Sequence, residues 1–307
     1  IKENVKITII KTIKYVTAKS FKRVLSWFDF EFNLFRLDKK LLPSPDVVII
    51  SSLSLLTILN GIYLKKKYGC KLVFEVRDIW PLTLVELGGY SNYNPLIMIL
   101  ALIEKIGYKK SDVIVGTMPN LSAHVKKILG YSKPVHCIPM GVSKSMLKNR
   151  LSDTPRYIKK HLKIDDFNIV YAGTFGMTNS LNTFFEAAKM LKDHPNIRFI
   201  IFGDGALRKD YIKRFGHLSN LIYFTKVKKN QVQAFLAYAD VLYYSTFKSV
   251  VYDYGQSANK FIDYMISEKP IIASYSGYPS MINEANCGYF IPAEDANTLV
   301  IKIKELI

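Results

Sequence analysis

The 307 residues are enough for two domains, each with its own core, and hydrophobic residues (49%) run through both halves. Lys and Arg number 43 against 25 Asp and Glu, and the net charge of +18 points to an acidic partner: nucleic acid, anionic membrane or a phosphorylated substrate. The basic residues are scattered without an RRM, zinc-finger or helix-turn-helix pattern, the histidines lack metal-ligand spacing, and Cys70, Cys137 and Cys287 stand apart. A zinc site and a disulfide frame are therefore set aside, no nucleic-acid partner is expected as the leading reading, and a reducing compartment is expected. No apolar run reaches the length of a membrane span. The chain begins with Ile and stops inside a helical pattern, so a fragment at both ends is expected.

Residues 10–36 predict a helix. Ile13, Val16, Phe21, Val24, Leu25, Phe28, Phe32 and Phe35 form an apolar stripe, with Lys11, Lys14, Lys19, Lys22 and Arg23 interleaved. Two readings stay open: a basic amphipathic helix resting on anionic lipid, or a domain helix with a solvated lysine face. Pro43 and Pro45 close a turn, and 47–50 is a wholly apolar run of the kind found in parallel strands. A helix over 53–68 ends at Gly69, and a strand follows over 71–76. At its carboxyl end stand Arg77 and Asp78, where open α/β sheets bind ligands; a surface ion pair between the two is the plainer alternative. Gly88 and Gly89 mark a loop. A helix over 95–109, a strand over 112–115, a helix over 120–129 and a strand over 135–139 complete this half. Such alternation is that of a parallel sheet covered on both faces.

Between Gly141 and Asp166 the periodicity weakens and charges accumulate. The domain boundary falls there, with residues 1–150 as the first domain and 151–307 as the second. The second half restarts the alternation. A strand over 169–172 leads into a loop with Gly173 and Gly176, then a helix over 180–191; a strand, a glycine loop and a helix make a phosphate cradle. A strand over 197–202 runs into Gly203-Asp204-Gly205, before a helix over 206–215. A strand over 221–224, a helix over 231–239 and a strand over 241–244 follow.

The stretch GQSANKFIDYMISEKPIIAS, residues 255–274, organises the rest. Ser257 is its expected helix N-cap. Phe261, Ile262, Met265 and Ile266 give that helix an apolar face, and Asp263 shares a side with Asn259. Pro270 ends the helix and 271–273 is a short buried strand. Residues 288–291 and 296–307 finish the chain, which stops inside a helical pattern. A helix beginning with Ser, Ala, Asn and Lys offers free N–H groups, a positive dipole end and an ammonium, which together make an anion site; an ordinary capped helix is the bland reading. Glycine stands beside a helix start at three strand ends, Gly173, Gly203 and Gly255, and these converge on one edge of the second sheet.

YAGTFG followed by LNTFFEAAKML, FIIFGDG, ADVLYY, GQSANKFIDYM and KPIIAS, in that order, resembles the donor domain of family 4 glycosyltransferases. In the first half PDVVI, FEVRDIWP and IPMGV resemble the same family. FEVRDIWP with SANKFIDYM is similar to the branch associated with L-fucosamine transfer in bacterial surface polysaccharide synthesis. The resemblance implies the GT-B fold: two Rossmann-like α/β domains with mainly parallel sheets, the first incomplete. It implies a retaining, metal-independent glycosyltransferase of the hexosyltransferase type with no cofactor. The donor would be a nucleotide sugar, usually UDP-linked. The acceptor would be a polyprenyl-diphosphate-linked glycan or oligosaccharide, as in O-antigen or capsule synthesis. Such a protein would be cytoplasmic and peripheral at the inner face of the plasma membrane.

Carried over residue by residue, Gly173 and Gly176 would let backbone approach the donor diphosphate. The base would lie against Gly203, Lys226 and Val227. Ser257, Asn259 and Lys260 would face the diphosphate, Asp263 would accept from the ribose hydroxyls, and Arg77 and Asp78 would reach in from the acceptor side. The sequence departs from the family pattern at several points. Gly255 and Asp263 stand where many members carry a glutamate pair, and Met140 stands where Asn is usual. The first glycine loop also lacks the usual Arg and Lys, so Lys226, Lys228, Lys248 or Lys260 would have to carry the positive charge. Breaking a sugar–phosphate bond develops charge on the diphosphate, which helix N-termini and lysines stabilise without a metal; no Asp-x-Asp pair offers a metal clamp. Two alternatives stay open: a nucleotide-sugar epimerase on the same architecture, and a non-enzymatic basic module for membrane or nucleic acid.

Overall fold

The computed structural model describes residues 5–16, 20–37, 44–143 and 166–307. The chain divides into two compact units, Ile1–Ile138 and Pro139–Ile307. The boundary expected between residues 150 and 151 lies outside the described residues.

In the first unit β1 (Val47–Ser51), β2 (Lys71–Val76), β3 (Val113–Gly116) and β4 (Val135–Cys137) form a four-stranded sheet in sequential order. Every pair is parallel, with Val47 opposite Lys71, Val73 opposite Val113 and Ile114 opposite Val135. The helices are α1 (Phe21–Arg36), α2 (Thr57–Tyr68), α3 (Leu82–Gly88), α4 (Pro95–Lys110) and α5 (Leu121–Leu129). Ile58, Leu72, Phe74, Leu100, Tyr108, Ile114, Leu121 and Val125 are buried between helices and sheet.

Three elements differ from the sequence reading. The helix expected over 10–36 starts only at Phe21, because Ser20 caps it, its hydroxyl accepting from the Lys22 N–H. Residues 11–13 instead run alongside α1: the Ile13 N–H donates to Asp29, and Asn33 donates to the Lys11 carbonyl. Lys19 lies outside the described residues. The helix expected from 53 begins at Thr57, since the Ser54 and Thr57 hydroxyls donate to the buried Glu31 carboxylate of α1. α3 fills a stretch to which the sequence reading assigned no element, and it ends at the expected glycine pair on Gly89, whose φ of 70° is the left-handed conformation glycine tolerates best. On α1 the exposed residues Phe21, Leu25, Phe28, Phe32 and Phe35 recur at helical spacing and leave one apolar stripe facing solvent.

The second unit holds β5 (Phe167–Ala172), β6 (Ile197–Phe202), β7 (Leu221–Phe224), β8 (Val241–Ser245), β9 (Ile271–Ser274) and β10 (Gly288–Ile291). They form one parallel sheet in the order β10-β9-β8-β5-β6-β7. The helices are α6 (Asn182–Met190), α7 (Arg208–Phe215), α8 (Val232–Leu236), α9 (Asn259–Ile266), α10 (Met281–Glu284) and α11 (Ala296–Leu306). The period of two sorts the strand residues to two cores. Ile169, Tyr171, Phe199, Ile201, Val241 and Tyr243 pack on one face. Val170, Ile200, Phe202, Leu242, Tyr244 and Ala273 pack on the other. With helices over both faces, the strands have no polar side to show, which is why they read as unbroken apolar runs.

The chain leaves β5 toward β6 and β7 and then crosses back to place β8 on the other side of β5. The strand order therefore reverses between β5 and β8, and a crevice opens at their carboxyl ends.

Candidate functional site

A cavity of about 560 Å³ lies at the carboxyl ends of the central strands of the second unit. Its floor is Ala172, Gly173 and Thr174 after β5, Phe202 and Gly203-Asp204-Gly205 after β6, and Lys226 and Val227 after β7. Val232 and Phe235 of α8 and Asn259, Lys260, Asp263 and Tyr264 of α9 close the side.

The glycines are there because backbone approaches backbone. The loops after β5 and β6 continue the strand pairing: the Gly173 N–H donates to the Phe202 carbonyl (2.9 Å) and the Phe175 N–H to the Asp204 carbonyl (3.0 Å). At Gly203, φ is +146° and an added Cβ would overlap the Gly173 carbonyl oxygen, so no other residue fits without moving the loop. Phe175, fully buried, anchors the loop from below.

Lys260 is the distinctive group. Its Nζ donates to the Tyr171 hydroxyl (2.8 Å) and to Asn179 Oδ1 (2.6 Å). It also lies over the Tyr171 ring (4.6 Å) and the Tyr244 ring (5.7 Å). Tyr171 belongs to β5 and Tyr244 to β8, so the ammonium sits where the strand order reverses. Its recorded partners are neutral, and desolvation lowers its pKa from 10.5 to about 7. Asp263, one helical turn on, has its carboxyl pushed up by burial, with Lys229 opposing. The Asp263 carbonyl accepts from Gln233 of α8 (2.9 Å), which ties the two helices together.

Of the residues expected at the site, Gly173, Gly203, Lys226, Val227, Asn259, Lys260 and Asp263 all line this cavity. Gly176 and Ser257 do not. The N-cap of α9 is Ala258, and the Ser257 hydroxyl instead accepts from the Met140 N–H (2.8 Å). The expected N-cap is thus corrected: the cap and the helix start fall one residue later, and the Ser257 oxygen is engaged by an approaching backbone segment. Nor does the first glycine loop run straight into a helix. A 3-10 turn, Met177–Asn179, intervenes and α6 begins only at Asn182, away from the cavity. Among the four lysines considered, Lys226 and Lys260 line the cavity, whereas Lys228 and Lys248 are exposed outside it.

Arg77 and Asp78 stand in the first unit at the carboxyl end of β2. Their backbone N–H groups both donate to Ser52 Oγ (2.9 and 3.3 Å), which folds the loop over the end of β1. Desolvation pushes the pKa of the Asp78 carboxyl up, and the Arg77 charge opposes it. Sequence reading overlooked Tyr171, Asn179, Val232 and Phe235. A buried tyrosine inside an apolar strand was the available signal for Tyr171, but nothing local marks Asn179. Among the described residues no three His, Cys, Asp or Glu side chains gather as a metal-binding group, and no helix is long and apolar enough to cross a membrane.

Residues 166–307 match the family described as glycosyl transferases group 1. Solved structures similar to this chain have the GT-B fold. Trehalose-6-phosphate from E. coli bound with UDP-2-fluoro glucose aligns with a TM-score of 0.70 at 13% identity, over 93% of this chain and 70% of that one. Sucrose-phosphate synthase from Thermosynechococcus elongatus aligns at 0.63 and 15%, over 93% and 68%. HepE from Anabaena in complex with UDP-glucose aligns at 0.56 and 13%, over 85% and 68%. No curated protein sequence matches the chain significantly. The fold is accordingly of the GT-B type, with two parallel α/β units.

Proposed function

We propose that the chain is a glycosyltransferase that takes its sugar from a nucleotide sugar, most simply a UDP-sugar, held in the second unit. The observation that carries this reading is Lys260: a cation drawn out of water at the strand-order reversal, with neutral partners and a cavity in front of it. A cation so placed wants an anion, and a diphosphate leaving group is the anion such a cavity would hold. The family match over residues 166–307 and the UDP-sugar complexes of two structurally similar proteins support the assignment.

In this reading the donor diphosphate lies against the Gly173 backbone and Lys260. The base lies over Gly203, Lys226 and Val227, with Val232 and Phe235 as its apolar wall. Asn259 and Asp263 face the ribose and diphosphate. As the sugar–phosphate bond breaks, charge grows on the diphosphate oxygens, and Lys260 offsets it without a resident metal or cofactor. Gly176 and Ser257 shape the surrounding loops. Arg77 and Asp78 serve the acceptor, proposed to be a polyprenyl-diphosphate-linked glycan of surface polysaccharide synthesis, with L-fucosamine transfer as the nearest branch.

Two hydroxyls of a ribose donating to Asp263 would make charge-assisted bonds. Asp263→Asn is expected to keep the fold and weaken UDP binding by about 1.5–3 kcal/mol. Calorimetric titration of UDP into both proteins, beside their melting curves, checks this. Equal affinity with a lowered melting temperature would remove Asp263 from the site.

The exposed stripe Phe21, Leu25, Phe28, Phe32 and Phe35, with exposed Lys22 beside it, supports placing the first unit on the anionic inner face of a membrane. Co-sedimentation with anionic vesicles is expected to exceed that with zwitterionic ones, and to fall with salt as each lysine near the surface loses its contribution of about 1 kcal/mol. Phe28→Glu with Phe32→Glu should abolish it. Binding insensitive to lipid charge, salt and these substitutions would remove the membrane from the proposal.

A further inference from the structure

The Lys260 ammonium is held by groups that are themselves held. Asn179 ends the 3-10 turn Met177–Asn179 and is itself fixed on three sides. Its N–H donates to the Gly176 carbonyl (3.1 Å), its Nδ2 donates to the Thr174 carbonyl (3.0 Å), and its own carbonyl accepts from Ser245 Oγ at the end of β8 (2.5 Å). With the amide nitrogen engaged by Thr174, Oδ1 is left pointing at Lys260 Nζ. Tyr171 is oriented the same way: its hydroxyl donates to the Thr174 carbonyl (2.9 Å), so its lone pairs face the ammonium. One carbonyl, Thr174, thereby sets the direction of both acceptors.

We propose that Asn179, with Tyr171, is a positioning residue that holds the Lys260 ammonium at the diphosphate end of the cavity while leaving its charge uncompensated for the donor. This rests on the reading of the cavity as a nucleotide-sugar site and adds to it the device that holds its cation in place. An ammonium has three protons to donate. Two are taken by Asn179 and Tyr171, and the third is left for an anion. The charge-neutral holder is the point of the arrangement. A carboxylate at residue 179 would fix the lysine equally well but cancel the charge the diphosphate needs. A free lysine, with no holder, would lose the side-chain entropy of a long chain each time the donor binds. The Nζ lies against Tyr171 on β5, Tyr244 on β8 and Asn179 on the loop; Asp263 on its own helix and Asp204 and Lys226 line the same cavity.

The test uses the full chain with Asn179→Asp and Asn179→Leu. Lysine ¹³Cε titration by NMR in ligand-free protein, with Lys260→Met to assign the signal, reads the ammonium directly. Asn179→Asp is expected to move the Lys260 midpoint up by a unit or more and Asn179→Leu to move it down, while the other lysines stay put. Calorimetry with UDP and with inorganic pyrophosphate should show both variants binding at least tenfold more weakly. In a Lys260→Met background, Asn179→Lys should restore a measurable part of the affinity by returning the cation to the loop. A Lys260 titration indifferent to residue 179 overturns the proposal. If wild type binds neither UDP nor UDP-sugars, the nucleotide-sugar reading falls, and the lysine titration still decides whether Asn179 governs Lys260.

Discussion

Lys260→Met is expected to lower turnover with a UDP-sugar by roughly tenfold to a thousandfold, the range for removing one oriented group that meets developing charge. At about 1.36 kcal/mol per factor of ten, that is about 1.4 to 4 kcal/mol of transition-state stabilisation. Stability should not follow activity. The folded-state pKa of Lys260 is lowered to about 7 from 10.5. Between those values the unfolded chain holds a proton that the folded chain lacks, so this residue's contribution to stability rises with pH across that window. Below about pH 7 both states are charged and folding bears the whole cost of desolvating the ammonium. Met removes that cost, and the melting temperature of the ligand-free protein at pH 6.5 should stay level or rise while catalysis is lost. Donor binding above pH 7 should take up a proton, seen as a heat that changes with the ionisation enthalpy of the buffer. A variant that loses activity in step with its melting temperature would show that Lys260 is structural. Retained activity, with a collapse on Lys226→Ala instead, would move the cation to β7.

Phe184→Ala carries the largest stability effect, an expected loss of about 3–5 kcal/mol. Phe184 of α6 is fully buried under the second sheet. Its ring meets Phe199 edge-on at 5.1 Å, Tyr243 at 5.2 Å, Phe185 at 5.8 Å and Tyr171 at 6.4 Å. Those neighbours belong to strands hydrogen-bonded into the sheet and to the helix itself, so they cannot close over the space left, and the cavity term stays in the balance. Because Tyr171 leans on this ring and supports Lys260 from the other end, the loss should also weaken UDP binding beyond what unfolding explains. Urea denaturation of the full chain, followed by a probe in the second unit, measures the first effect. Titration of UDP well below the melting temperature measures the second. Phe184→Leu, which refills most of the volume, should recover the greater part of both. A loss under 1 kcal/mol would mean that α6 repacks freely.

The strands were the most legible part of this protein. Those over 71–76, 197–202 and 221–224 match the sequence reading residue for residue. A buried parallel strand must be apolar on both faces and must stop where glycine or charge begins, so its ends are written locally. Helix ends were less legible, because they depend on who takes the polar groups. Ser257 has the residue type of an N-cap, yet its hydroxyl serves Met140, far away in sequence, and α9 starts at Asn259. The helix over 10–36 starts only at Phe21, with Asp29 and Asn33 holding residues 11–13 beside it. No periodicity count within residues 10–36 contains those hydrogen bonds.

The site divides the same way. Gly173, Gly203, Lys260 and Asp263 of the cavity were identifiable because glycine at a strand end and a charged residue near a helix start are residue types visible one at a time. The sequence by itself determined two parallel α/β units and the loops that would meet a diphosphate. Only the tertiary structure sets Lys260 apart from the other lysines. Lys226, Lys228, Lys248 and Lys260 are equal as residues. What separates them is that β8 crosses back beside β5, bringing Tyr244 and Tyr171 to either side of Lys260, while a 3-10 turn delivers Asn179 to its tip. An ammonium's strength toward an anion depends on the water removed around it and on the charge of its neighbours, and both are properties of residues distant in sequence that the fold brings together.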